Sequence, residues 1–207
     1  MPRISDFRTR RIALAVLSSA ITIACVSGSS AQAALISTGA CNSATLSHPF
    51  ARWGDQNSYE LVSGGDFEGS LSGWTLRGGA RTVSGSEPYG VTGHVGGYSL
   101  SLSAGGSAQS PFTCVNASNP TFRFLAKNAN LLSTVVVQVV YKTLLGEVAL
   151  PLGAVALSTK WSPTLPMLTG SVVVGVLSGG TAQAALRFTA LTGSTQIDDV
   201  FIDPRMN

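Results

Sequence analysis

The chain has 207 residues, 44% hydrophobic and only 11% charged, with 13 basic against 10 acidic residues. Four arginines and one aspartate fall within residues 1–33, so the remainder balances at 9 to 9 (13 − 4 against 10 − 1) and keeps no polybasic run. That balance excludes nucleic acid and anionic membrane surfaces as expected partners.

Residues 1–33 have the layout of a secretory signal peptide. Arg3, Arg8, Arg10 and Arg11 form a positive n-region, Ile12 to Val26 an apolar run, and Ala31-Gln32-Ala33 a small-x-small cleavage site. A membrane anchor needs ~20 apolar residues, and this run is shorter. A lipid-bearing Cys25 is the other alternative, but Thr22-Ile23-Ala24 matches a lipobox poorly. Cleavage near Ala33 predicts a secreted, extracellular protein with no membrane contact afterwards.

Residues 34–58 read as an N-terminal arm, small and polar, which Phe50 and Trp53 could plug onto the body. Residues 59–207 read as one β-domain. Tyr59 to Val62 predicts a short strand, followed by the motif GGDFEG and by Trp74. Trp74 and Leu76 alternate with Thr75 and Arg77, Gly78-Gly79 signals a turn, and Ala80 to Ser84 is a second short strand. Ser86 to Gly97 is a Gly/Pro loop carrying Tyr89 and His94. Tyr98, Leu100 and Leu102 alternate with serines, which turns all three inward.

Ser107 to Cys114 resumes as strand, with Pro111 at an edge or end. Phe122, Phe124 and Ala126 alternate with Arg123, Leu125 and Lys127. TVVVQVVY (Thr134 to Tyr141) predicts a strand covered on both faces. Glu147 to Leu150 and Ala154 to Leu157 predict shorter strands around Pro151, and Trp161 to Pro166 an irregular stretch. Ser171 to Leu177 is strand or buried helix, and Thr195 to Asp203 closes the chain. Many short strands between Gly/Pro turns, and no amphipathic helix, predict an all-β antiparallel sandwich or barrel.

Residues 34–207 keep two cysteines, Cys41 and Cys114. In an oxidising compartment an even pair reads as a disulfide, stabilising by about 4 kcal/mol in the chain-entropy model; two buried thiols are the alternative. Catalytic patterns are absent. Gly69-Ser70-Leu71-Ser72-Gly73 puts Leu where G-x-S-x-G needs its nucleophile. His48 and His94 are lone loop histidines, and Asp198 and Asp199 are neighbours in a strand, pointing to opposite faces. No opposed carboxylate pair is singled out, so the expectation is that the protein is not an enzyme.

The strings GGDFEGSLSGWTL, GGYSLSL and IDDVFIDP together resemble the jelly-roll carbohydrate-binding modules and the wider galactose-binding-like sandwich class. The longer run FARWGDQNSYELVSGGDFEG resembles a group of uncharacterised secreted bacterial proteins more closely, and that likeness implies no ligand. The class implies a jelly-roll β-sandwich whose first and last motifs lie side by side. It implies a structural Ca²⁺ between them, held at the matching positions by Glu68 and Asp199, with Asp66. Two carboxylates need carbonyls and water to complete a calcium shell. The alternative is that Asp66 and Glu68 cap turns or pair with Arg77 or Arg205. The resemblance implies a polysaccharide or cell-wall polymer as partner. Sugar rings stack on exposed aromatic faces, and the loop residues Trp161 and Tyr89 are the candidates, Trp74 being assigned to the core. A structural surface protein without a glycan site is the competing reading. A long uncharged edge strand, with every aromatic buried, would favour it.

Overall fold

The computed structural model describes residues 45–116, 119–170 and 181–203. Its strands are β1 (Leu46–Ser47), β2 (Tyr59–Leu61), β3 (Thr75–Arg77), β4 (Arg81–Ser84), β5 (Tyr98–Ser103), β6 (Ser107–Gln109) and β7 (Thr113–Asn116). There follow β8 (Thr121–Asn128), β9 (Thr134–Thr143), β10 (Gly146–Ala156), β11 (Ser162–Pro163), β12 (Met167–Leu168), β13 (Thr181–Thr192) and β14 (Ser194–Asp203). The one helical element among the described residues is a 3-10 turn, Ala51–Trp53.

All pairings are antiparallel, in two sheets. The front sheet runs β10-β9-β13-β6-β3, with β7 also paired to β13. In the back sheet β14 is central. It pairs with β8 along one edge and with β5 and then β2 along the other, and β1, β4, β11 and β12 complete the sheet. The chain passes back and forth: β3 front, β4–β5 back, β6–β7 front, β8 back, β9–β10 front, β11–β12 back, β13 front, β14 back. Repeated crossing between two packed antiparallel sheets is the jelly-roll sandwich that the sequence predicted.

Period-two alternation fills the space between the sheets. Leu100, Leu102, Phe122, Phe124 and Ile197 come from the back, and Val135, Val137, Val139, Leu186 and Phe188 from the front. Phe124 and Phe188 meet edge to face, ring centres 5.0 Å apart. Fully burying one such side chain stabilises by about 2–3 kcal/mol.

A second apolar layer covers the other face of the back sheet. Phe50, Tyr59, Leu125, Trp161 and Phe201 are buried together there, with Trp53 and Tyr89 packed against them. Residues 46–47 pair with β2, and Phe50 seats edge-on against Tyr59 at 4.9 Å and Phe201 at 5.6 Å. Arg123 reaches into this layer. Its guanidinium lies 4.3 Å from the Phe50 ring centre and 2.5 Å from Asp55, while Tyr59 donates its hydroxyl hydrogen to the same Asp55 oxygen at 2.7 Å.

Four local expectations need correction. β10 is one strand through Pro151, with an irregularity between Pro151 and Gly153. It lies at the sheet edge, where a missing N–H breaks no ladder bond. The stretch after Trp161 forms two short bridges to β8. β9 is fully covered on one face only, and Val136 and Gln138 on its outer face are half-buried. Tyr98, expected inside, is 48% exposed, because the first residue of β5 lies at the rim opposite Ser84. The segment Ser171 to Leu177 lies outside the described residues.

Candidate functional site

The first and last motifs do meet. Val62 N–H donates to the Val200 carbonyl at 2.9 Å, and Val200 N–H donates to the Gly65 carbonyl at 3.1 Å. The approach is close enough that a Cβ on Gly65 would sit 2.8 Å from the Val62 carbonyl oxygen and 3.0 Å from that of Val200. Only glycine fits there. Trp74 is a core residue, its indole N–H donating to the Ser63 carbonyl at 2.9 Å and its ring meeting Phe67 at 5.0 Å.

The carboxylates expected on calcium are arranged differently. Glu68 turns toward the residues that enter β5. Both its oxygens accept the Gly97 N–H at 2.9 Å, and Oε1 also accepts the Tyr98 N–H at 2.8 Å, which pins the loop that enters β5. A Cβ on Gly96 would collide with that carboxylate. Asp199 instead lies buried beside Asp198 and Glu87. Asp198 accepts from the Ser86 hydroxyl (2.7 Å), Glu87 N–H (2.9 Å) and Asp199 N–H (3.0 Å). Glu87 accepts from the N–H groups of Tyr89 (2.5 Å) and Val91 (3.1 Å).

No lysine or arginine forms an ion pair with this cluster among the described residues. Burial pushes the pKa of Asp198 up to about 7 against those hydrogen bonds. Burial, and then the charges of Asp198, Glu87 and Asp66, push Asp199 far above the usual carboxylate range. Three donors favour ionised Asp198, so the proton belongs on Asp199, whose side chain is hydrogen-bonded to Glu87. Among the described residues no group of three or more His, Cys, Asp or Glu is placed to hold a metal ion. Glu68, Asp198 and Glu87 each accept from N–H or O–H donors.

Trp161 and Tyr89 come together, but not as a platform. Trp161 is 8% exposed, with the Lys127 ammonium 4.9 Å from its ring centre. The Tyr89 hydroxyl donates to the Trp161 carbonyl at 2.8 Å, and its ring packs edge-on against Trp53 at 5.0 Å under Arg52. Both belong to the second apolar layer, because the loop of residues 86–97 folds down onto the back sheet instead of standing free. Cys114 lies on β7. Cys41 lies outside the described residues.

A concave surface lies on the outer face of the front sheet, where the sequence predicted no site. Register lines up Thr75, Gln109, Arg187 and Gln138 across β3, β6, β13 and β9. The next row holds Arg77, Ser107 and Thr189. Their neighbours Leu76, Ala108, Phe188 and Val137 face the core. Thr75, Arg77, Ser107, Gln109, Glu147 and Arg187 line an open groove of about 360 Å³. Arg187 donates to Gln109 Oε1 through Nε (2.9 Å) and Nη2 (2.5 Å), and Nη2 also donates to Glu147 Oε2 at 3.2 Å. Gln109 Nε2 donates to that same Glu147 oxygen at 3.4 Å. The Arg77 side chain has no hydrogen-bond or ion-pair partner among the described residues. In sequence these are ordinary outward-facing polar positions; only the strand register brings them into one line.

No family model matches the chain, and no curated protein matches it. Among solved structures, the CBM22-1 xylan-binding domain of Paenibacillus barcinonensis Xyn10C is 16% identical with a TM-score of 0.44, over 67% of this chain and 90% of that one. TmCBM61 in complex with β-1,4-galactotriose is 14% identical, TM-score 0.41, over 70% and 98%. The CBM22-1–GH10 modules of Clostridium thermocellum xylanase 10B with xylohexaose are 15% identical, TM-score 0.41, over 69% of this chain; the match spans only 28% of that longer chain. Two of these neighbours are carbohydrate-binding modules, and the third joins one to a GH10 module. At such identities and scores, what they bind does not pass to this chain.

Proposed function

We propose that this is a secreted, non-catalytic β-sandwich protein that binds a polysaccharide or cell-wall polymer along the outer face of its front sheet. The observation that carries the reading is the groove. Six polar side chains from four strands converge there, and Arg187 is held in place by Gln109 and Glu147. Ordered donors and acceptors in an open trough suit the hydroxyls of a sugar chain, which can enter from either end. No aromatic ring among the described residues lines the groove, so recognition there rests on hydrogen bonds. Glu147 is the only carboxylate lining it among the described residues, whereas glycoside hydrolysis uses two.

Secretion follows from the predicted signal peptide in residues 1–33, with 34–58 and 59–207 as arm and sandwich. No helix among the described residues is long and apolar enough to cross a membrane. A Cys41–Cys114 bond and a calcium ion near Asp66, Glu68 and Asp199 belong to the same proposal. Intact-mass measurement without reductant decides the first, and melting with and without chelator the second. The function itself is tested by retardation of the protein in gels containing soluble polysaccharides. Unchanged migration in every polymer would end the reading.

One observation favours assembly instead. β10 is an eleven-residue edge strand with Glu147 as its only charge and with Val148, Leu150 and Leu152 exposed. Bare edges template pairing between chains. Sedimentation over a concentration series checks this, and a monomer at every concentration would remove it.

A further inference from the structure

We infer that the front-sheet groove selects acidic glycans, those carrying a carboxylate on the sugar ring, and that Arg77 is the residue that reads the charge. The inference rests on the groove reading above and adds the class of ligand. Its first support is the distribution of charge over the molecule. Of the nine acids in residues 34–207, eight lie on the back sheet or on loops: Asp55, Glu60, Asp66, Glu68, Glu87, Asp198, Asp199 and Asp203. The front-sheet strands carry Arg77, Lys142 and Arg187 against Glu147 alone, a balance of 3 − 1 = +2 on a chain segment whose net charge is zero. A face of one sign draws ligands of the other.

The second support is the inequality of the two groove arginines. Arg187 is satisfied: Gln109 and Glu147 take its Nε and Nη2 hydrogens, and the exposed pair with Glu147 offsets its charge. Arg77 is exposed in the groove wall, with Ser107 directly opposite on β6 and no side-chain partner among the described residues. A guanidinium presents a planar fork of N–H donors that matches a carboxylate in bidentate fashion. The Ser107 and Thr75 hydroxyls stand beside it, able to serve the ring hydroxyls next to such a carboxylate. A neutral sugar would leave the charge of Arg77 unanswered.

The experiment is affinity electrophoresis of the protein in gels containing polygalacturonate, its highly methyl-esterified form, or neutral xylan. Wild type is compared with Arg77→Gln and Arg81→Gln. Arg81 is an exposed arginine of the back sheet, so its variant makes the same change in net charge away from the groove. Retardation is expected in polygalacturonate and at least tenfold weaker affinity for the esterified polymer and xylan, the scale of one charge-assisted hydrogen bond. Arg77→Gln should lose about tenfold in polygalacturonate, and Arg81→Gln should match wild type. Melting curves confirm that each variant is folded. Equal retardation by acidic and neutral polymers, or equal loss in both variants, overturns the acidic preference but leaves the glycan reading standing. Absence of retardation in every gel overturns both.

Discussion

The buried carboxylates at the closing seam make a prediction with a definite sign. Asp199 is 3% exposed and its proton is held in the folded state far above the 3.8 of an ordinary aspartate. The folded chain therefore binds a proton that the unfolded chain releases above about pH 4. Stability is fully present below that pH and declines as pH rises toward the folded pKa. One such proton costs about 1.4 kcal/mol per pH unit, so about 3 kcal/mol should be lost between about pH 5 and about pH 7. Asn is the uncharged counterpart of the protonated acid, and it tolerates the left-handed backbone of residue 199 (φ 49°). Asp199→Asn should flatten the profile and be more stable than wild type at neutral pH by about 2 kcal/mol or more. Urea unfolding followed by tryptophan fluorescence, with and without chelator, measures both. A wild-type stability that is flat or rises from about pH 5 to about pH 7 would refute the reasoning. So would an Asp199→Asn protein that is less stable than wild type only when calcium is present, since the carboxylate would then be a ligand.

Three further outcomes follow from the packing. Asp55→Ala leaves the Arg123 guanidinium buried without its partner and should cost about 3 kcal/mol in urea unfolding. Burial alone would raise the Asp55 pKa, but hydrogen bonds from Tyr59, Asn57 and Arg123 hold it below the ordinary value. That contribution is present above the ordinary pKa and lost as pH falls through the folded one, so stability should peak on the acid side of neutrality and drop again below about pH 4. Trp161→Ala should cost about 3–4 kcal/mol in melting or urea experiments while leaving polysaccharide retardation unchanged, as befits a core residue away from the groove. Gly65→Ala, which sets a methyl against two carbonyl oxygens, should destabilise by about 1–3 kcal/mol.

The fold was legible because each strand obeys a local rule. Phe122, Phe124 and Ala126 read as an inward face from spacing alone, and GGDFEG, which forms the turn after β2, does lie against IDDVFIDP on β14. Tertiary context overrode the rest. Trp161 and Tyr89 sit in a Pro-containing stretch and a Gly/Pro loop, a composition that suggests exposure, yet the second apolar layer over the back sheet buries one and half-buries the other. Glu68 lies two residues from Asp66 in sequence, but Gly96 leaves the space into which its carboxylate turns. The groove was invisible for a different reason. Thr75, Gln109 and Arg187 are far apart in the chain and unremarkable singly, and no local pattern encodes which residues stand opposite one another across three strands.

The back sheet, wrapped on both faces, gives the molecule a handle. The described chain begins at residue 45, next to β1, and the last described strand ends at Asp203, paired with Thr121. Both of these described ends, like Arg81 on β4, belong to the sheet opposite the groove. A bulky group placed on the back sheet would leave Arg77 and Arg187 facing outward, with the long glycan lying across an unobstructed front.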